Sequence, residues 1–130
     1  MVKRIESIIL FSEDAKNLAE FYKDKVGLEM TMEAEIGEKG EGLYGFEFGE
    51  EKTALYIMNH SKVKGKNSQP ERIIFNLEVD DIEKEIKKLD EAGVRKIADI
   101  YHMQEYGLIA TFEDIDGNYF QLVQIRPGEA

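Results

Sequence analysis

The feature that most constrains this chain is an internal repeat: a strand, a helix and three strands, followed by the same order again. The first strand is expected over Arg4–Phe11, where Ile5, Ile8, Ile9, Leu10 and Phe11 supply apolar positions. Ser12 can cap the helix that follows. Ala15, Leu18, Phe21, Tyr22 and Val26 then fall at helical spacing, and Gly27 sits where a left-handed C-terminal residue belongs. Three strands are expected next, at Leu28–Ile36, Leu43–Phe48 and Thr53–Asn59. Gly37, Gly40, Gly42 and a Gly49-Glu50-Glu51-Lys52 turn separate them.

The second copy opens with a strand at Arg72–Val79. Asp80 or Asp81 caps a helix carrying Ile82, Ile86 and Leu89, and Glu83 stands three residues beyond Asp80, as a capping box requires. Gly93 ends that helix. Strands are expected at Arg95–Met103, Leu108–Glu113 and Tyr119–Ile125, the last two joined by Asp116-Gly117-Asn118. The fold class is therefore α+β, with two tandem βαβββ modules in one domain, residues 1–130. The modules are expected at about residues 1–60 and 72–126, with a polar, lysine-bearing linker over about 61–71. In this repeat Ser7 corresponds to Ile74, and Tyr56 to Gln121.

Alternation divides each strand into two faces. One face is uniformly apolar and suits packing against a helix: Ile8 and Leu10, Leu55 and Ile57, Phe75, Leu77 and Val79, Phe120 and Leu122. The other is mixed: Ser7, Ile9 and Phe11; Ala54, Tyr56 and Met58; Ile74, Asn76 and Glu78; Tyr119, Gln121 and Val123. Isolated polar groups among apolar ones suit a ligand-lined sheet. They also suit a half-exposed or dimer-facing sheet. Tyr44, Phe46 and Phe48 alternate on one strand, as do Met30 and Met32 on another. Such rows serve an apolar ligand wall, a dimer core or plain packing. The glycine-rich run at 37–42 is acidic and reads as a turn or flap that would repel phosphate.

Composition excludes several function classes. There are no cysteines, hence no disulfide framework, no cysteine–zinc site and no thiol nucleophile. Acidic residues outnumber basic ones, 27 to 17, for a net charge of -10. Phosphate neutralisation needs the opposite balance, so nucleic acid is not an expected partner. An acidic surface attracts cationic ligands and also simply confers solubility. No signal core and no membrane-length apolar run is seen, so the expectation is a cytoplasmic protein without a membrane partner. No G-x-S-x-G, Walker or dinucleotide glycine motif is present.

Two segments carry a family resemblance. Ser12-Glu13-Asp14 with Leu18-Ala19-Glu20-Phe21-Tyr22-Lys23-Asp24-Lys25-Val26-Gly27-Leu28 resembles the helix that opens the glyoxalase/bleomycin-resistance/dioxygenase (vicinal oxygen chelate) superfamily. Tyr106-Gly107 with Phe112-Glu113-Asp114-Ile115-Asp116-Gly117-Asn118-Tyr119-Phe120-Gln121-Leu122 is similar to that family's ending. Phe75-Asn76-Leu77-Glu78-Val79-Asp80-Asp81-Ile82 resembles the start of its second module. The resemblance implies eight strands in a cup-shaped mixed sheet, two helices outside, and a homodimer.

Metal-using members bind a divalent ion through four side chains, typically two His and two Glu. Carried over by position, those sites fall on Ser7, Tyr56, Ile74 and Gln121. None is an imidazole, carboxylate or thiolate, so no metal and no cofactor are expected. The expected function is metal-free binding of a small organic molecule, for which a cation is compatible with the charge. The expected binding residues are Ser7, Tyr56, Met58, Ile74, Asn76, His102, Tyr119 and Gln121, and no catalytic residue is assigned. Two alternatives stay open. One is a lyase, isomerase or dioxygenase, with an ion held by His60, His102 and a carboxylate such as Glu78, Glu105 or Glu113, or with metal-free acid–base work by Glu78 or His102. The other is a structural or regulatory dimeric module without a small ligand.

Overall fold

The computed structural model describes residues 1–37, 39–50 and 53–125. The chain divides into two compact units, Met1–Gly65 and Lys66–Ala130. The first contains β1 (Ser7–Ser12), α1 (Ala15–Phe21), β2 (Met32–Ile36), β3 (Glu41–Phe48) and β4 (Thr53–Asn59). The second contains β5 (Phe75–Glu78), α2 (Ile82–Glu91), β6 (Arg95–Met103), β7 (Gly107–Glu113) and β8 (Tyr119–Ile125). Each unit is thus a βαβββ module with its own four-stranded mixed sheet. The orders are β1-β4-β3-β2 and β5-β8-β7-β6. In each, the first and last strands pair in parallel and the other neighbours are antiparallel.

Local chemistry starts and stops the helices. Asp14 caps α1 by accepting from Asn17 N–H at 3.1 Å. Ser12, the expected cap, is buried at the end of β1, and its Oγ accepts from Asp14 N–H at 3.0 Å. The helix starts at Ala15, so the cap falls two residues later than expected. α1 continues into a π-helical turn, Tyr22–Val26, closed by Gly27 at φ +88°. In the second unit Asp81 caps by accepting from Lys84 N–H at 3.2 Å. The capping box from Asp80 to Glu83 is therefore not the geometry used, because the residue three beyond the true cap is Lys84.

Three strands begin later than expected. β1 starts at Ser7 rather than Arg4. β2 starts at Met32 rather than Leu28, after Thr31 N–H has bonded to Gly45 O at 2.8 Å. β5 starts at Phe75 because Pro70–Arg72 forms a short 3-10 turn, stabilised by Arg72 bonding to Gln69 through backbone and guanidinium. The expected turn at 49–52 includes Glu51 and Lys52, and the expected flap includes Glu38; these three lie outside the described residues.

Each sheet buries its uniformly apolar face under its own helix. In unit 1, Leu18, Phe21 and Tyr22 of the α1 segment are buried, as are Phe46, Leu55 and Ile57 of the sheet. In unit 2, Ile82 and Leu89 are buried with Phe112, Phe120 and Leu122. Phe120 stacks between Phe75 and Phe112, with ring centroids 6.3 and 5.9 Å away. Each such apolar side chain contributes about 1.5–3 kcal/mol on burial. Phe46, weighed above as ligand wall or dimer core, is fully buried in unit 1 and belongs to this packing.

Candidate functional site

Strand register assembles the second face of each sheet, the one away from the helix. In unit 1, Ile9, Tyr56, Gly45 and Met32 form one row across the four strands. Phe11, Met58, Leu43 and Ala34 form the next, and Ser7, Ala54 and Glu47 lie on the other side. Gly45 leaves room for an aromatic ring: a Cβ there would lie 2.9 Å from Tyr56 Cε1 and 3.2 Å from Met32 Cβ. Tyr56 therefore covers the backbone of β3. Ile9 and Phe11 keep 44% and 40% of their surface exposed. His60, just past β4, meets Phe11 edge-on at 5.0 Å, and its Nδ1 accepts from Lys62 N–H at 3.0 Å.

The corresponding face of unit 2 is more polar. Asn76, Gln121, Thr111 and Ala98 form its central row. Tyr119, Glu113 and Arg95 lie on one side; Glu78, Val123, Ile109 and Tyr101 lie on the other. Gln121 Nε2 donates to Thr111 Oγ1 at 3.0 Å, which tethers the amide to β7. The turn before β8 is built around buried Asp114, which accepts from Asp116 N–H, Asn118 N–H and Asn118 Nδ2 at 2.9, 3.0 and 3.0 Å. Gly117 takes φ +80° in that turn. Asn67 ties onto it, bonding through N–H to Asp116 O and through Nδ2 to Asn118 Oδ1.

The expected binding residues fall into two sets. Ser7, Tyr56 and Met58 share the helix-free face of unit 1; Asn76, Tyr119 and Gln121 share that of unit 2. Ile74 is exposed and immediately precedes β5, instead of lying inside a strand. His102 departs from the set. It pairs with Leu108, which pairs with Gln124, and Gln124 Oε1 accepts from Ile82 N–H at the start of α2. His102 therefore stands on the helix side of the sheet. β6 carries two register shifts, one between Lys96 and Ala98 and one between Ala98 and Tyr101, which together restore the alternation that begins at Arg95. That alternation brings Tyr101 and Met103 to the helix-free face and turns His102 away from it. Thr111 was not anticipated as a site residue, and Glu113 only as one of the carboxylates that could join His60 and His102. Their only signal is a polar residue at alternate positions in an otherwise apolar strand, Gly107–Glu113.

The donor set does not suit the divalent ion of the family's metal-using members. Tyr56 lies over Gly45, Gln121 is engaged by Thr111, Ile74 has no donor, and Ser7 offers only a hydroxyl. Among the described residues no group of three or more His, Cys, Asp or Glu could hold a metal ion. Electrostatics are acidic on the helix side of unit 1 as well. Burial, then the carboxylates of Glu33, Glu20, Glu35 and Asp14, raise the Tyr44 phenol above its ordinary pKa. Among the described residues no helix is long and apolar enough to cross a membrane.

Residues 4–122 match the model of the Glyoxalase/Bleomycin resistance protein/Dioxygenase superfamily. The uncharacterized protein YetH of Bacillus subtilis is 30% identical over 122 residues, covering 94% of this chain and 98% of YetH. Among solved structures, TnmS3 of Streptomyces sp. CB03234, an antibiotic binding protein, superposes with a TM-score of 0.75 at 20% identity, covering 96% of this chain and 98% of that one. Glyoxalase I of Leishmania major gives 0.73 at 18%, covering 95% and 87%. The fosfomycin resistance protein FosX of Listeria monocytogenes gives 0.69 at 14%, covering 99% and 98%. At these identities the solved structures speak to fold alone.

Proposed function

The chain belongs to the Glyoxalase/Bleomycin resistance protein/Dioxygenase superfamily, and from that premise we propose that it binds a small organic molecule on its helix-free sheet faces without a metal. The observation that carries the proposal is the central row of unit 2. There the position expected for a metal ligand holds Gln121, a neutral amide tethered to Thr111. Such an amide hydrogen-bonds a ligand; it is a poor anchor for a divalent transition metal. Asn76 stands beside it in register and offers both donor and acceptor. Tyr56, Met58, Ile9 and Phe11 supply apolar and aromatic surface in unit 1, and Ser7 a hydroxyl. Each hydrogen bond contributes about 0.5–1.5 kcal/mol and each covered ring about 1.5–3 kcal/mol.

TnmS3 is described as an antibiotic binding protein and FosX as a fosfomycin resistance protein, which supports a small-molecule partner on this fold. We further propose a homodimer in the cytoplasm, with the dimer supported by the exposed Met32, Tyr101 and Met103. Light scattering in solution tests the dimer; a monomer at micromolar concentration refutes it. The binding proposal is tested by metal analysis of purified protein and a small-molecule thermal-shift screen. A ligand at a hundred times its Kd raises stability by about 2.7 kcal/mol. Asn76→Ala and Gln121→Ala should each abolish most of that rise. Stoichiometric divalent metal on which a turnover depends would overturn the proposal.

A further inference from the structure

Among the described residues of unit 2, Glu113 is the carboxylate that combines low exposure with a place on the helix-free face beside an aromatic ring. It pairs in register with Tyr119, and Phe112 next to it is fully buried on the opposite face. Directly paired residues place their Cβ atoms about 4.5–5.5 Å apart, so carboxylate and phenol ring are neighbours. Glu113's side chain retains only 14% of its surface. Its ion-pair partner is Arg95, with Nη1 to Oε2 at 3.3 Å, in the first residue of edge strand β6. Arg95 is 73% exposed. A half-buried anion is thus satisfied by a long, solvated, single-contact cation. Such a contact is worth about 0–1 kcal/mol, because water competes for the guanidinium.

That asymmetry has a chemical consequence. A carboxylate beside an aromatic ring recognises an organic ammonium or guanidinium, through a charge-assisted hydrogen bond and the ring's negative face. Arg95 occupies the place such a group would take. We propose that Glu113, with Tyr119, is the cation-binding position of the ligand face, and that Arg95 is an internal stand-in which a cationic ligand displaces. The inference rests on the binding function proposed above and specifies its ligand class as organic cations. Gln121 lies two residues beyond Tyr119 on the same strand face, so its carbonyl accepts from a donor elsewhere on the same ligand. The displaced guanidinium returns to water, at little cost for a side chain already mostly solvated.

The test uses two probes of one shape, naphthylmethylammonium and the uncharged naphthylmethanol, titrated into the full chain. Affinity is read by calorimetry, and the location by amide shifts at Tyr119 and Gln121. The ammonium should bind about tenfold more tightly than the alcohol, the ratio expected of one charge-assisted hydrogen bond. Glu113→Gln keeps the shape and should bring that ratio to one. Arg95→Ala should tighten the ammonium several-fold and leave the alcohol unchanged. Lys96→Ala removes the same charge from the neighbouring residue and should do neither. Equal binding of the two probes, or a ratio surviving Glu113→Gln, overturns the assignment of Glu113 while leaving the binding face intact. Equal tightening by Arg95→Ala and Lys96→Ala reduces Arg95 to general electrostatics and overturns its role as stand-in. If neither probe shifts Tyr119 or Gln121 at millimolar concentration, the binding function itself falls, and this assignment with it.

Discussion

Asp114→Ala removes a buried carboxylate that accepts three hydrogen bonds, from Asp116 N–H, Asn118 N–H and Asn118 Nδ2, all at 2.9–3.0 Å. Hydrogen bonds to a charged group contribute about 1.5–3 kcal/mol each. The donors sit in a part-buried turn, where water recovers much of that on truncation, so the expected net loss is about 3 kcal/mol. Unfolding entropy near 2.1 cal/mol/K per residue gives about 0.27 kcal/mol/K for a chain of this size. The melting midpoint should therefore drop by about 11 °C, as measured by calorimetry at neutral pH. Asp114→Asn keeps one acceptor and should fall about midway. The turn also fixes where β8 begins, and with it Tyr119 and Gln121. It holds Asn67 through Asp116 O and Asn118 Oδ1, so proteolysis near residue 67 should quicken in Asp114→Ala. A drop below about 4 °C would refute the reasoning, since it would mean that solvent replaces the carboxylate almost completely.

Thr111→Val preserves volume but deletes the acceptor for Gln121 Nε2. It should cost about 1 kcal/mol and move the Gln121 side-chain amide resonances; unchanged resonances would show that the bond does not orient the amide. Gly45→Ala inserts a Cβ 2.9 Å from the Tyr56 ring. Overpacking of this kind costs about 1–3 kcal/mol, partly offset by the gain of replacing glycine in a strand, and the near-ultraviolet circular dichroism of the tyrosines should change. Tyr44 has its pKa raised in the fold above 10.0, so the folded state holds the proton more tightly than the unfolded chain. That contribution is complete below about pH 10 and is lost as pH rises through the folded value. Melting curves between neutral pH and pH ~11 should show less alkaline loss for Tyr44→Phe than for the parent chain; parallel curves would exclude the effect.

What was legible in the amino-acid order is what depends on near neighbours. The repeated βαβββ order, the ends of both helices at Gly27 and Gly93, and the Asp116-Gly117-Asn118 turn rest on spacing, caps and positive φ. These act within a few residues of chain. The same alternation separated the faces of Tyr56 and Gln121 from those of Leu55 and Phe120. Where local preferences compete, the reading slipped by a few residues: Asp14 displaced Ser12 as a cap, and the Pro70–Arg72 turn shortened β5.

Tertiary structure alone decided which residues meet across strands. Pairing of β1 with β4, or of β5 with β8, joins segments more than 40 residues apart, and nothing local encodes that register. Phe46 lies in the core because β3 is packed beneath α1, although its row of aromatics suited a ligand wall equally well. His102 stands on the helix side, with Tyr101 and Met103 opposite, because the two register shifts of β6 together preserve the phase set at Arg95. Thr111 beside Gln121, and Glu113 between Tyr119 and Arg95, are likewise products of that register. The repeat is written in the chain because each element follows short-range periodicity. The chemistry of the helix-free faces is not, because it depends on pairings whose partners are distant in sequence and whose phase bulges can change.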